Sequence, residues 1–218
     1  LLADIADAYG VDCYNTLTGF KYIADKIKQL ERKKTFIGGG EESYGYLAGE
    51  FVRDKDAVIS CALLAETAAY AKEKGRSLFD QLIDIYLEHA MFKEKLISVV
   101  KKGKEGEEEI KKMMDQFRNN PPDSINGEDL MLIHDYQKQK TFDLLSQLRY
   151  EIHLPKSNVL QFILKDGTKI SMRPSGTEPK IKFYFSVNKT LEKSEDFDKV
   201  AKMLEERIEN IIDELKIQ

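Results

Sequence analysis

The stretch NVLQFILKDGTKISMRPSGTEPKIKFYFSV, residues 158–187, decides the fold of the second half of this chain. Three runs rich in β-branched and aromatic residues are separated by two breaks, a pattern typical of neighbouring strands in an antiparallel sheet. The first break, Asp166-Gly167, is a strong hairpin signal because both residues tolerate a positive φ. The second break, RPSGTEPK at residues 173–180, is longer. The pattern therefore predicts strand, hairpin, strand, loop and strand.

The RPSGTEPK loop carries groups that suit a small anion. Arg173 offers a planar fork of donors that matches a phosphate, and Ser175 and Thr177 offer hydroxyls. Gly176 lets backbone N–H groups approach an oxygen closely. The alternative is a rigid turn fixed by the two prolines, but a turn needs neither the arginine nor the two hydroxyls. We therefore interpret the loop as a phosphate site.

The segments around this loop predict an antiparallel sheet covered by helices. Residues 93–103 are typical of a strand, residues 107–118 of a helix with acidic residues at its start, and residues 194–218 of an amphipathic helix. Helices packed on such a sheet make an α+β module. We interpret the charged segment KKGKEGEEE, residues 101–109, as a solvated connector between the two halves of the chain.

The first half alternates helix and strand patterns, as an α/β domain does. Gly10 is placed to end the first helix, Asp56 to cap the third and Gly75 to end it. Ser77 and Asp80 resemble a capping box for a fourth helix. The predicted elements, in order, are a helix over 1–9, a strand near 11–15, a helix over 20–30, a strand over 35–37 that breaks into a glycine-rich loop, and helices over 57–74 and 78–91.

The predicted fold class is thus α/β plus α+β, in two modules. Residues 1–95 form a partial three-layer α/β domain, and residues 96–218 form a mainly antiparallel sheet packed with helices. The chain opens without methionine and already in helical periodicity. We accordingly expect a piece of a longer protein, in which the first domain lacks its first strand.

Composition and charge exclude several classes of partner. The 218 residues include 38 acidic and 34 basic side chains, with no basic stripe that would bind nucleic acid. No apolar run reaches the roughly 20 residues of a membrane-spanning helix, and no basic segment precedes an apolar one at the start. Two distant cysteines and three scattered histidines form no metal-ligand pattern. We expect a cytoplasmic protein with no membrane, nucleic-acid or metal site in this chain.

A second loop, GGGEESYG at residues 38–45, is no nucleotide-binding motif. Tyr46 stands where the Walker lysine should follow, and Ser43 stands where the last glycine of the dinucleotide fingerprint belongs. Glu41 can accept hydrogen bonds from two vicinal hydroxyls, and Ser43 can donate or accept. The alternative is a glycine-rich turn with solvated polar side chains. We interpret the loop as reading sugar hydroxyls, so that one sugar phosphate is the simplest ligand for both loops.

Four motifs carry a resemblance to the α-D-phosphohexomutases, the superfamily of phosphoglucomutase and phosphomannomutase. They are TLTGFKYI at residues 16–23, GGEESYG at 39–45, FVRDKDAV at 51–58 and RPSGTEPKIKFY at 173–184. The resemblance spans nearly the whole chain and implies the third and fourth domains of such an enzyme. Residues 1–95 would then be the sugar-binding third domain and residues 96–218 the phosphate-binding fourth domain.

The resemblance also implies a reaction. In this superfamily a phosphoserine gives its phosphoryl group to a sugar phosphate, and the bisphosphate turns round and returns the other phosphate, with Mg²⁺ assistance. The phosphoryl group thereby moves between the C1 and C6 (or C5) hydroxyls of a hexose or pentose phosphate. A sugar bisphosphate is the expected activator, and the intact enzyme is expected to be a phosphoprotein of carbohydrate metabolism. Which sugar is used, and any protein partner, stays open.

The motif match assigns a role to each candidate residue. The hydroxyl readers would be Glu41 and Ser43, and Thr18 and Lys55 would lie beside the ligand. Lys55 could carry a proton or stabilise charge, or it could be a surface residue between two acids. Thr18 could also cap the helix that begins near Phe20. The phosphate-holding residues would be Arg173, Ser175, Gly176 and Thr177.

Two loops of the superfamily are absent from this sequence. It contains no serine–histidine phosphoacceptor loop and no DxDxD metal loop. We therefore predict the substrate-binding, C-terminal part of a phosphosugar mutase, inactive by itself because it lacks the nucleophile and the Mg²⁺ ligands. The alternatives are a non-catalytic sugar-phosphate-binding module and a sugar-bisphosphate synthase of the same superfamily, which would share every motif.

Overall fold

A computed structural model describes residues 1–41, 44–176 and 178–217. The chain forms two compact units, residues 2–85 (the first unit) and residues 86–217 (the second unit). Both units mix helices with antiparallel strands, which confirms the predicted fold class. Within the described residues, the search for a helix long and apolar enough to cross a membrane finds none.

The first unit contains one β-hairpin, and two of its helices pack on this hairpin. The hairpin pairs Gly38 with Ala48 at its open end and Glu41 with Gly45 near its tip. Phe20, Ile27 and Leu47 form its small buried core. The elements are α1 (Leu2–Ala8), α2 (Phe20–Leu30), β1 (Gly38–Glu41), β2 (Gly45–Ala48), α3 (Ala57–Glu73) and α4 (Leu78–Glu88), the last of which ends in the second unit.

Local capping signals set the starts of α3 and α4, as predicted. The Asp56 side chain accepts hydrogen bonds from the backbone N–H groups of Val58 and Ile59 at 2.9 and 3.0 Å. Ser77 and Asp80 form the expected reciprocal pair: the backbone N–H of Ser77 donates to the Asp80 carboxylate at 2.7 Å, and the N–H of Asp80 donates to the Ser77 hydroxyl at 3.2 Å. These bonds satisfy N–H groups that the helices leave free.

Two strand predictions for the first unit were wrong. Residues 11–17 form no strand and have no regular secondary structure. The Tyr14 ring there lies under the ammonium groups of Lys26 and Lys34 instead, at 4.7 and 5.8 Å. The glycine-rich segment, predicted as a loop after a strand over 35–37, is itself strand β1. Glycine weakens a strand intrinsically, so the pairing with β2 overrides local preference.

The second unit is an eight-stranded antiparallel sheet. Seven strands follow the order β3-β10-β9-β8-β5-β6-β7, and β4 pairs with β5. The Asp166-Gly167 hairpin joins β8 to β9 as predicted, with Gly167 at a φ of +85°. The elements are β3 (Met91–Val100), α5 (Gly103–Asn119), β4 (Ser124–Ile125), β5 (Glu128–Asp135), β6 (Lys140–Asp143), β7 (Arg149–Glu151), β8 (Leu160–Leu164), β9 (Lys169–Pro174), β10 (Lys180–Lys189) and α6 (Phe197–Glu214).

The core of this unit lies between one face of the sheet and the two long helices. Buried residues alternate along β10, because successive side chains of a strand point to opposite faces. The Phe117 ring of α5 packs edge-on against the rings of Phe162 and Phe183. The predicted apolar stripe of the last helix is buried at Val200, Leu204, Ile208 and Ile211.

The expected connector differs from the structure. Residues 101–109 are not a free connector, because α5 already begins at Gly103. All ten residues of β3 pair with β10, and this pairing places residues 91–95 in the second unit. Long-range pairing of this kind leaves no local mark that a composition-based boundary could use.

Candidate functional site

The RPSGTEPK loop connects β9 to β10 and is tied to the sheet at both ends. The backbone N–H of Ser175 donates to the carbonyl of Lys180 at 2.7 Å. The N–H of Lys101, just after β3, donates to the carbonyl of Pro179 at 2.8 Å. Thr177 lies outside the described residues. The loop is thus fixed relative to three strands, which suits a binding element.

Two basic residues occupy directly opposite strand positions at the base of this loop. Arg173 of β9 is directly opposite Lys182 of β10 in the strand register. Both side chains are half-buried, and among the described residues neither has a carboxylate within ion-pair distance. Like charges directly opposite each other destabilise a strand pair. An anion bound at this point would remove that repulsion.

Lys182 is a candidate residue that the sequence did not single out. Its alternation with Lys180 in KIKFY places it on a strand, but the sequence does not say which residue of β9 it faces. Lys180 is different, because its ammonium group pairs with Glu178 of the loop at 3.1 Å. Only the register of the two strands makes Lys182 the neighbour of Arg173.

Gly176 lies at the exposed part of the loop. No described heavy atom comes within 4 Å of a Cβ built at this position. The fold around it therefore does not require a glycine. This open space is what a ligand oxygen would need to reach the backbone N–H groups.

The first unit gathers a second set of candidate residues around the Glu41 carboxylate. Glu41 is half-buried at the end of β1, and its Oε2 accepts a hydrogen bond from the N–H of Gly19 at 3.1 Å. The N-cap residue of α2 is Gly19, not Thr18, and it makes no side-chain cap bond of its own. The reading of Thr18 as a helix cap is therefore wrong. Thr18 is exposed, next to this contact.

Lys55 reaches the same place from the segment between β2 and α3. Its Nζ lies 2.7 Å from the Asp54 carboxylate and 5.1 Å from the centre of the Phe20 ring. The hydrogen bond that its ammonium group donates to Asp54 raises the pKa of Lys55, and the negative charge of Glu41 adds to the rise. Lys55 is therefore held as a cation, which suits a charge stabiliser better than a proton carrier.

Gly45 allows Glu41 and Lys55 to approach each other. A Cβ at residue 45 would lie 2.9 Å from Cγ of Glu41 and 3.1 Å from Cδ of Lys55. Both distances are too short for an undisturbed contact. Ser43, the other expected hydroxyl reader, lies outside the described residues.

The described residues contain no group of three or more histidine, cysteine, aspartate or glutamate side chains that could hold a metal ion. The two sets of candidate residues differ in the groups that they offer a ligand. One set, in the second unit, offers cations and backbone N–H groups. The other, in the first unit, offers a carboxylate beside a fixed cation.

Part of the chain matches a protein-family model, and nearly all of it matches longer relatives. Residues 1–86 match the model for the alpha/beta/alpha domain III of phosphoglucomutase/phosphomannomutase. A phosphoglucomutase of Staphylococcus epidermidis is 40% identical over 210 residues, which are 96% of this chain and 37% of that protein. A phosphoglucomutase of Staphylococcus haemolyticus is 40% identical over 184 residues, 84% of this chain and 33% of that protein. The chain spans little more than a third of the relatives it matches.

A solved structure supports the fold. The open form of the exocytosis-sensitive phosphoprotein pp63/parafusin, a phosphoglucomutase from Paramecium, aligns with 96% of this chain and 35% of its own. The TM-score is 0.60 and the sequences are 15% identical. At this identity the likeness shows the fold alone.

Proposed function

Because this chain belongs to the α-D-phosphohexomutase superfamily, we propose that it is the part of a phosphosugar mutase that binds the sugar phosphate. In this proposal residues 1–86 supply the sugar-reading third domain and the second unit supplies the phosphate-holding fourth domain. The whole enzyme moves a phosphoryl group between the C1 and C6 (or C5) hydroxyls through a phosphoserine and a bisphosphate.

The observation that carries the proposal is the facing pair of Arg173 and Lys182. Two half-buried cations without a carboxylate partner among the described residues are unfavourable in the free protein. A phosphate is a good counter-charge, because the Arg173 fork can bind two of its oxygens. The N–H groups of residues 176 and 177 and the hydroxyls of residues 175 and 177 would complete the contacts.

In the first unit, the proposal gives Glu41 the task of reading hydroxyls. One of its oxygens accepts from Gly19, which holds the carboxylate in one orientation. Both oxygens retain further acceptor capacity for sugar O–H groups. Lys55 adds a fixed positive charge beside it, and by motif match Thr18 and Ser43 add hydroxyls.

The proposed contribution of this chain to the reaction is positioning. Binding energy from the phosphate that does not react orients the end that does, so the phosphate site affects turnover as well as affinity. The described residues do not fit a Mg²⁺ site. The sequence also lacks a phosphoacceptor serine loop of the superfamily type. We therefore propose that the 218-residue chain binds sugar phosphates without converting them.

Titration of the full chain with glucose 1-phosphate, glucose 6-phosphate, mannose 6-phosphate and ribose 5-phosphate tests this function. We expect the backbone amide NMR signals of Ser175 and Gly176 to shift on binding. Arg173→Lys keeps the charge but loses the fork, so it weakens binding while the melting temperature changes little. Lys165→Arg, at the exposed end of β8, is the matched control. If Arg173→Lys lowers the melting temperature but binds sugar phosphates normally, the loop is only a structural turn.

An activity measurement separates the mutase from the non-catalytic binding module. The purified chain is expected to give no turnover with any of these sugar phosphates, and turnover free of contaminating mutase would contradict the assignment. A longer polypeptide that contains this chain together with a phosphoacceptor serine loop is expected to convert them. Binding without turnover in such a polypeptide would favour the binding module.

A further inference from the structure

We propose that Gly106, in the first turn of α5, is a positioning residue for the RPSGTEPK loop. This inference rests on the proposed function, because it takes the loop to be a phosphate site. Gly106 belongs to none of the four motifs and lies 67 positions before Arg173 in the sequence. It acts through Lys101, which lies against Gly106 and also donates a hydrogen bond to the loop.

Gly106 lies against the backbone at the end of β3. A Cβ built on it would be 2.6 Å from Cβ of Lys101 and 2.9 Å from the carbonyl carbon of Lys101. Neither atom is the free end of a flexible side chain, so any larger residue must displace the Lys101 backbone. Gly106 is also buried, at the start of the α5 stripe that continues with Ile110 and Met114. The helix therefore cannot simply turn away.

Lys101 carries this contact to the loop. Its N–H group donates to the carbonyl of Pro179 at 2.8 Å, one residue before β10 begins. Lys180, the next residue, accepts from the N–H of Ser175 across the base of the loop. A shift of Lys101 is thus passed through Pro179 to the residues that would hold the phosphate.

Helix propensity alone favours another residue at position 106. Alanine in a helix interior is about 1 kcal/mol better than glycine. Gly106 lies at the fourth position of a seventeen-residue helix, where a glycine has no role in ending the helix. The close approach to Lys101 is the physical reason that accounts for it.

The test compares Gly106→Ala with the wild-type chain in a titration with inorganic phosphate, followed through the amide NMR signals of Ser175 and Gly176. We expect phosphate binding to weaken roughly ten- to a hundredfold, the range of an ångström-scale misplacement. Gly167→Ala is the matched control. It strains the β8–β9 hairpin at the other end of β9, so it lowers stability without altering phosphate binding.

Three outcomes are distinguishable. If the wild-type chain does not bind phosphate at these amides, the proposed function fails. If it binds and Gly106→Ala binds equally well, the positioning role fails. A second measurement covers a variant that does not fold: in the wild-type chain, phosphate should slow hydrogen exchange at the Lys101 N–H but not at the N–H of Gly167. Unchanged exchange at Lys101 would overturn the inference.

Discussion

The carboxylate of Glu41 accepts a hydrogen bond at 3.1 Å from the backbone N–H of Gly19, the residue at the start of α2. Glu41, the last residue of β1, thereby binds the N-cap residue of a helix that lies 22 positions earlier in the sequence. The other oxygen of the same carboxylate lies beside Gly45. The Glu41 side chain thus has a structural role in addition to its proposed role of binding sugar hydroxyls.

The first prediction separates these two roles of Glu41. Glu41→Gln keeps an oxygen that can accept from Gly19 but loses the negative charge. We expect the free energy of unfolding to change by less than about 1 kcal/mol, whereas binding of glucose 1-phosphate weakens and binding of inorganic phosphate does not. Calorimetric titration with both ligands measures the difference. Glu50→Gln is the control, because Glu50 also accepts a backbone N–H, that of Phe36 at 3.1 Å. Equal effects of both variants would contradict the hydroxyl-reading role.

The second prediction concerns the repulsion between Arg173 and Lys182. Lys182→Met removes one of two facing charges, so the ligand-free second unit should be as stable as before or more stable by up to about 1 kcal/mol. Phosphate affinity should fall by about tenfold or more, the value of one charge-assisted hydrogen bond. Lys169→Met, at the other end of β9, should leave phosphate affinity unchanged. A loss of stability together with unchanged affinity would show that Lys182 is structural.

The third prediction tests a buried ion pair in the second unit. Nε of Arg118 lies 3.2 Å from Oδ2 of Asp135, and both side chains are almost fully buried, at 7% and 2% exposure. Asp135→Ala leaves the arginine without its buried partner, so the free energy of unfolding should fall by about 3–5 kcal/mol. Urea unfolding followed through amide signals of residues 86–217 measures this value.

Asp143→Ala is the matched control for this pair. Asp143 accepts hydrogen bonds from the N–H groups of Leu145 and Ser146, as Asp135 does from those of Gln137 and Lys138. Within the described part of the chain Asp143 has no ion pair with a buried arginine, so we expect a loss of only about 1 kcal/mol. Similar losses for the two variants would mean that the turn bonds, and not the ion pair, carry the effect.

The fourth prediction is a pH dependence at Glu205. The ammonium groups of Lys93 and Lys95, at 2.8 and 3.0 Å, lower the pKa of Glu205 from 4.5 to about 2. The unfolded chain takes up the proton at the higher pH, so the stabilisation is complete above about pH 4.5 and is lost as the pH falls toward 2. The urea midpoint of the wild type should therefore exceed that of Glu205→Gln above pH 4.5, and the two should converge near pH 2.

Glu206→Gln is the control for this titration. Glu206 lies on the same helix and pairs with Lys202 at 3.7 Å, where both side chains are largely exposed. We expect the urea midpoint of Glu206→Gln to equal that of the wild type at every pH. A wild-type advantage over Glu205→Gln that does not change with pH would contradict the ion-pair explanation.

Features with local causes were predicted from the sequence. The cap at Asp56, the capping box of Ser77 and Asp80, and the hairpin at Gly167 each depend on bonds or torsions within four residues. The stripe of α6 follows from the helical repeat. Arg173, Ser175 and Gly176 were recognised as candidates because their chemistry stands in one short segment, and their role stays a prediction.

The sequence by itself determined the caps, the hairpin, the periodicity and the residue types of both candidate loops, because each depends on neighbours along the chain. The tertiary structure alone decided that residues 11–15 are not a strand, that Lys182 faces Arg173 and that Gly106 touches Lys101. These facts depend on strand register, on packing and on the path of the chain from β3 into α5, none of which local preference alone sets. A shift of one residue in the register of β10 would turn Lys182 to the other face of the sheet without any change in the amino-acid sequence.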